Sequence, residues 1–192
     1  MMIYETIVTS RNEDTTVQIA PMGVRRVDGL YLIAPFKPSR TLENLQRTGQ
    51  AVINLTDDVR IFAGCLTGRY DWSVTETVSF PGWRLQQCCT HLEIVVEKVV
   101  GNELRPEFYC RLLHEQIHKA FHGFNRAQAA VLEAAILASR LDRLPVDKIR
   151  QEIDYLRIAI DKTAGVRELE AWNWLCERID THLQQVAPET MP

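Results

Sequence analysis

The period of hydrophobicity changes once along this chain, near Phe124, and that change decides the fold class. Upstream, IYETIVTS alternates apolar and polar residues over 3–10, and TVQIA does so over 16–20. The polar residues between them predict a hairpin turn. LYLIAPF (30–36), AVINL (51–55) and HLEIVVEKVV (91–100) are apolar runs rich in β-branched residues, which suits strands. EFYCRLLHEQIHKAF (107–121) alternates as one long paired strand would, with Phe108, Cys110 and Leu112 on one face and Tyr109, Leu113 and Ile117 on the other. Downstream the spacing becomes three and four. Ala127, Val131, Ala134, Ala138 and Leu141 predict a first amphipathic helix, with Asn125 as N-cap and Gln128 placed to reach back. Ile149, Ile153, Leu156 and Ile160 predict a second, closed by Gly165, and Leu169, Trp172, Cys176, Ile179 and Leu183 a third. Strands first and helices last make an α+β protein: a small barrel or sheet over 1–122 and a C-terminal helical group over 123–192 packed on it.

The stretch PFKPSRTLENLQRTGQAVINLTDD (35–58) carries the first functional signal. Pro35 and Pro38 keep its start out of helix, Thr41 is a good N-cap and Gly49 a good stop, so a short helix is expected over Leu42–Thr48. The first N–H groups of a helix lack internal partners, and its dipole favours negative charge there. Lys37, Ser39, Arg40 and Thr41 put two cations and two hydroxyls at that end, which is what a phosphate needs; an ordinary capped helix with solvated neighbours has the same residues. Upstream, Pro21, Met22 and Gly23 interrupt a strand pattern before Val24, Arg25 and Arg26. Such a break marks either an edge bulge or a place where a ligand approaches the backbone. A second short helix is expected from Asp57 or Asp58, and 67–83 is expected to be a long polar loop.

Composition excludes more than it selects. A net charge of −3 gives no general pull toward nucleic acid or an anionic membrane. No apolar run approaches the roughly 20 residues that span a bilayer, and the first residues lack a signal-peptide pattern. Five cysteines without a CxxC pair predict reduced thiols and a cytoplasmic protein. No GxGxxG follows a strand, so no Rossmann nucleotide domain is expected. His114, His118 and His122 are four apart. On a strand that spacing is about 13 Å, too far to share one ion, so no metal is expected there.

IAPMGVRR (19–26), the 35–58 stretch and GFNRAQAAVLEAAILASRL (123–141) together resemble the domain-of-unknown-function family 447 of the FMN-binding split-barrel superfamily. TLENL and TGQAVINL also resemble the flavin reductase branch of that superfamily. The resemblance implies an FMN-binding split β-barrel with a C-terminal helical extension, a homodimer, and FMN near the dimer interface. It implies FMN phosphate on Lys37, Ser39, Arg40 and Thr41, the flavin ring against Pro21, Met22, Gly23 and Val24, and Asn44 or Asn54 on the ribityl chain or ring edge. His122, Asn125 and Arg126 become candidates for a partner subunit's contribution. The functional readings are a flavin-dependent oxidoreductase using NAD(P)H or another small redox partner, a non-enzymatic FMN carrier, sensor or electron-transfer module, and a dimeric scaffold with an empty flavin site. No substrate follows.

Overall fold

A computed structural model describes residues 2–101 and 104–186. They form two compact units, one of residues up to 57 together with 71–121, the other of 58–70 together with residues from 122 onward. Residues 58–70, expected with the barrel, therefore belong to the helical unit.

The first unit is an antiparallel barrel. Strands β1 (Ile3–Arg11), β2 (Val17–Val27), β3 (Leu30–Ile33), β4 (Gln50–Leu55), β7 (Thr90–Val100) and β8 (Glu107–Ile117) close in the order β1-β2-β3-β8-β7-β4. Closure runs through Ile7–Thr9 of β1 against Val52–Asn54 of β4, so this barrel has no free ladder edge at that seam. Asp28 and Gly29, both at positive φ, make the tight turn between β2 and β3. The expected break at Pro21–Gly23 does not occur: β2 runs straight through, pairing Pro21 with Ile7 and Gly23 with Glu5. At Pro21 β2 has β1 on one side and no strand opposite, because β3 begins pairing only at Val24. That is an edge position, where a missing N–H costs no ladder bond.

Helix α1 (Arg40–Thr48) plugs the barrel. Leu42 and Leu45 join Val8, Val24, Ile33, Ile53, Leu92, Ile94 and Phe108 in one buried cluster. The 67–83 segment is not a bare loop: β5 (Val74–Glu76) and β6 (Trp83–Leu85) pair as a hairpin. Its tip is held by Glu93, whose buried carboxylate accepts from the backbone N–H groups of Val78 (2.8 Å) and Ser79 (2.6 Å). Burial raises the pKa of Glu93, but those donors and His91 outweigh it and leave it lowered. β8 stops at Ile117 rather than reaching residue 121. The β7–β8 ladder also shifts register between Glu93 and Ile94, leaving Leu113 as the extra residue of a bulge.

The second unit packs α2 (Arg60–Thr67), α3 (Arg126–Ala138), α4 (Val146–Thr163) and α5 (Val166–Val186) around alanines 127, 130 and 134 with Ile149, Trp172, Leu175 and Ile179. Small residues on α3 let its neighbours approach closely. Asn125 caps α3 as expected, its Oδ1 accepting from the N–H groups of Ala127 and Gln128. Gln128 does not reach back to close a capping box; its amide donates to Glu168. α4 ends at Ala164 in extended conformation, and Gly165 instead donates to Glu168 at the start of α5. Among the described residues no helix is long and apolar enough to cross a membrane.

Candidate functional site

The start of α1 is built differently from the sequence expectation. Ser39, not Thr41, is the N-cap: it is extended (φ −157°, ψ 143°) and its Oγ accepts from the Leu42 N–H at 3.2 Å. The helix therefore starts at Arg40, and Thr41 lies buried inside its first turn. Glu43 N–H bonds the Ser39 carbonyl. Among the described residues the N–H groups of Arg40 and Thr41 take no backbone acceptor. These two donors lie at the positive end of the dipole. Gly49 closes the helix in the left-handed region (φ 65°), as its sequence position predicts.

The side chains around that end suit an anion. Lys37 and Arg40 are exposed, and among the described residues neither makes an ion pair. A cavity of about 460 Å³ opens beside Lys37, lined also by Pro38, Ser39, Leu42, Gln46, Pro106 and the acidic Glu43; Arg40 does not line it. On the Arg40 side, an open groove runs over Asn12, Asp14 and Arg47, and Asp14 is close enough to feel the Arg40 charge. Lys37 on one side of the helix start and Arg40 on the other, with the Ser39 hydroxyl and two N–H groups, are donors of the kind a phosphate takes, and Glu43 lines both sides against them. The residues present fit the phosphate end of FMN.

The other expected contacts fare unequally. Met22 and Gly23 are not buried, and a Cβ at Gly23 would approach Ile3 Cγ2 to 2.8 Å, so this edge of β2 is crowded on the Ile3 side. Val24 is buried and points into the barrel core. Asn44 is buried, its Nδ2 donating to Ser10 Oγ (3.0 Å) and Asn12 Oδ1 (2.8 Å), while its Oδ1 accepts from Arg47. Asn54 is buried too. Its Nδ2 donates to Ile7 O (3.0 Å) and Thr9 Oγ1 (3.1 Å), and its Oδ1 accepts from Leu85 N–H (2.8 Å). Both amides are spent inside the barrel unit. His122 and Arg126, in the helical unit, are exposed, whereas the Asn125 amide is committed to its cap and to Thr163 O.

A second constellation escaped the sequence reading. His114 and His118 do not meet as a pair four apart on one strand. They converge on His91 of β7, which sits between the β4 and β8 ladders and is almost fully buried. His91 Nδ1 lies 2.9 Å from His118 Nε2, and His91 Nε2 lies 3.3 Å from Glu93 Oε1. Burial lowers the pKa of His91, partly offset by Glu93; burial and Arg84 lower that of His118. The signal was a histidine and a glutamate two apart in an otherwise apolar strand, HLEIVV, which places two ionisable groups on one face of a core element.

Two family models match the chain: the N-terminal domain of a protein of unknown function (DUF447) over residues 4–119, and a further protein of unknown function (DUF447) over residues 125–177. Among solved structures, an FMN-bound protein of the same family model from Methanosarcina mazei is similar at TM-score 0.79 and 20% identity, covering 92% of this chain and 94% of that one. Flavoredoxin from Methanosarcina acetivorans matches at TM-score 0.52 and 14% identity, over 60% of this chain and 69% of that chain. An NADH:FAD oxidoreductase from Streptomyces globisporus matches at TM-score 0.52 and 11% identity, over 59% and 75%. At these identities the likeness shows the shared split-barrel fold.

Proposed function

Since this chain belongs to the DUF447 family, we propose that it is an FMN-binding flavoprotein that takes the cofactor's phosphate at the start of α1. The observation that carries this reading is the helix start itself: Arg40 and Thr41 N–H groups left without backbone acceptors among the described residues, and two neighbouring cations, Lys37 and Arg40, free of ion pairs. The FMN-bound relative supports it independently. Bound FMN supplies an acceptor for hydride or single electrons, and the protein supplies binding, orientation and electrostatics. Here Lys37 and Arg40 neutralise the phosphate, and the ring lies against the β2 edge at Pro21–Gly23, where Pro21 has no N–H and the Met22 carbonyl already accepts from Thr6 Oγ1. The ribityl chain is left to groups other than Asn44 and Asn54, whose hydrogen bonds are already taken.

Arg40→Ala should lose about 1.5–3 kcal/mol of FMN binding, the range for hydrogen bonds to charged groups. Calorimetry with FMN checks this, and an unchanged affinity would mean that Arg40 is merely solvated.

We read the protein as an oxidoreductase of the flavin reductase type, fed by NAD(P)H or another small redox partner docking on the flavin. The NADH:FAD oxidoreductase among its fold relatives favours this over a passive carrier, while flavoredoxin keeps an electron-transfer role in view. The purified protein should be yellow with a flavin spectrum, and NAD(P)H should bleach it without oxygen. A yellow protein that no nicotinamide bleaches belongs to the carrier class; a colourless one that takes up no FMN ends the proposal.

A homodimer fits the surface of the barrel unit. Ile3, Tyr4, Phe36, Leu113, Ile117 and Phe121 are large apolar side chains left 39–71% exposed. A second copy is proposed to cover them with an interface above roughly 2,000 Å², bringing its own His122 or Arg126 toward the flavin. Light scattering at micromolar concentration should give twice the chain mass; a monomer that still holds FMN would contradict this.

A further inference from the structure

The cluster at the end of β7 and β8 is arranged as a metal site. Cys88 Sγ, one ring nitrogen of His91 and one of His118 all lie within 4.8 Å of one another. Tetrahedral zinc, with bonds of about 2.0–2.1 Å to nitrogen and 2.3 Å to sulfur, holds its donors roughly 3.3–3.7 Å apart. Small rotations close that gap, and the 2.9 Å between His91 Nδ1 and His118 Nε2 needs to open by only a few tenths of an ångström. Cys88 and His91 are fully buried.

The surroundings prepare these donors. His91 Nε2 faces Glu93, a buried carboxylate that accepts its N–H and so leaves the lone pair on Nδ1, the nitrogen turned to His118. A carboxylate behind a ligating histidine is the usual support for a zinc-bound imidazole. Glu93 is itself fixed by the N–H groups of Val78 and Ser79. His118 is held in place because its own N–H, and that of Lys119, bond the Cys89 carbonyl just beyond Cys88. Two segments distant in sequence, 88–91 and 118, therefore meet with their donors close together.

A structural hydrogen-bond relay explains part of this. The Cys88 thiol then only donates to Leu85 O at 3.1 Å, and His118 only donates to His91. Neither the relay nor an ion on Cys88, His91 and His118 uses His114. Its Nε2 is buried and finds no hydrogen-bond partner among the described residues, and its ring centre lies 5.6 Å from that of His91. The group His91, Glu93 and His114 also lies within 4.8 Å. Glu93, however, already accepts two backbone donors, and a ligand role would cost it those bonds.

We propose that Cys88, His91 and His118 bind one zinc-type divalent cation, with Glu93 as the positioning residue behind His91. One thiolate and two imidazoles select zinc over magnesium or calcium, which prefer oxygen. Three protein ligands leave a fourth position for water or a small anion. On binding, the Cys88 S–H bond breaks and its proton goes to solvent, and the sulfur electron pair forms the metal bond. His118 carries its remaining proton on Nδ1, so one proton is released per ion. Arg84 bears on His91, His118 and Cys88, opposing the cation but favouring the thiolate.

The full chain, stripped with chelator, is titrated with zinc alone against a chromophoric chelator, and with cobalt as a spectroscopic substitute. One equivalent should bind, release one proton and, for cobalt, give a thiolate charge-transfer band. Cys88→Ser should remove that band, and His118→Asn, at a half-buried position that tolerates change, should abolish stoichiometric binding. Glu93→Gln should weaken binding about 10–100-fold, the effect of losing support behind a ligand. His114→Ala should leave affinity within about twofold if the ion sits on the proposed side. No stoichiometric binding by the unaltered chain, or undiminished binding by folded His118→Asn, overturns the proposal. So does loss of binding in His114→Ala with Cys88→Ser unaffected, which places the ion on the other triad.

Discussion

Replacing Asn54 with leucine should cost about 2–5 kcal/mol of stability, although Asn54 was a candidate cofactor contact. Its side chain is fully buried and joins three elements: it donates to Ile7 O on β1 and Thr9 Oγ1, and accepts from Leu85 N–H on β6. Thr9 Oγ1 in turn donates to Trp83 O at 2.6 Å, so this pair ties the β6 end of the hairpin to the barrel while Glu93 holds its tip. Leucine has similar volume but leaves the Leu85 N–H and the Ile7 carbonyl buried without partners, at about 1–3 kcal/mol each. Urea unfolding should show a lower midpoint with an unchanged slope. A loss under about 1 kcal/mol would mean that water or another donor replaces the amide at once.

Phe108→Ala should be as damaging for a different reason, at about 3–5 kcal/mol. Phe108 is 1% exposed at the centre of the barrel cluster, opposite Ile33 on β3 and Val99 on β7, beneath the apolar face of α1. Truncation leaves a cavity between strands whose closed ladder restricts collapse, so both the transfer and the cavity terms apply. Because Leu42 and Leu45 rest in the same cluster, the helix start that carries Arg40 should loosen as well. FMN affinity should therefore fall in Phe108→Ala, although Phe108 touches none of the proposed phosphate donors. Thermal unfolding and FMN titration of the same sample check both parts; an unchanged midpoint would contradict the packing argument.

Much of the architecture was legible from periodicity because burial here follows it. The apolar run of β4 and the three-four spacing in α3 to α5 correspond to buried residues, whereas the alternation in β1 does not: Thr6 to Ser10 are buried in succession. Local backbone chemistry was legible where one residue decides it, as at Asn125 and Gly49. What failed was decided by distant partners. Pro21–Gly23 reads as a break, yet β1 alone supports an extended edge there. Thr41 and Ser39 are both capping residues, and packing of Thr41 into the barrel assigns the cap to Ser39. Asn44 and Asn54 offer the right chemistry for a flavin, but the acceptors of their amide groups on β1 and in the turn after it lie 32–47 residues away in sequence and consume it. The meeting of His118 with Cys88 and His91 depends on the pairing of β7 with β8, which no local spacing reveals.

The central claim is that this family member holds FMN by its phosphate at the start of α1. Calorimetry of the unaltered chain with FMN and with riboflavin, which differs by that phosphate alone, tests it most directly. Two or more charge-assisted hydrogen bonds predict that FMN binds at least about 100-fold tighter, roughly 3 kcal/mol. Equal affinity for the two flavins would contradict the account.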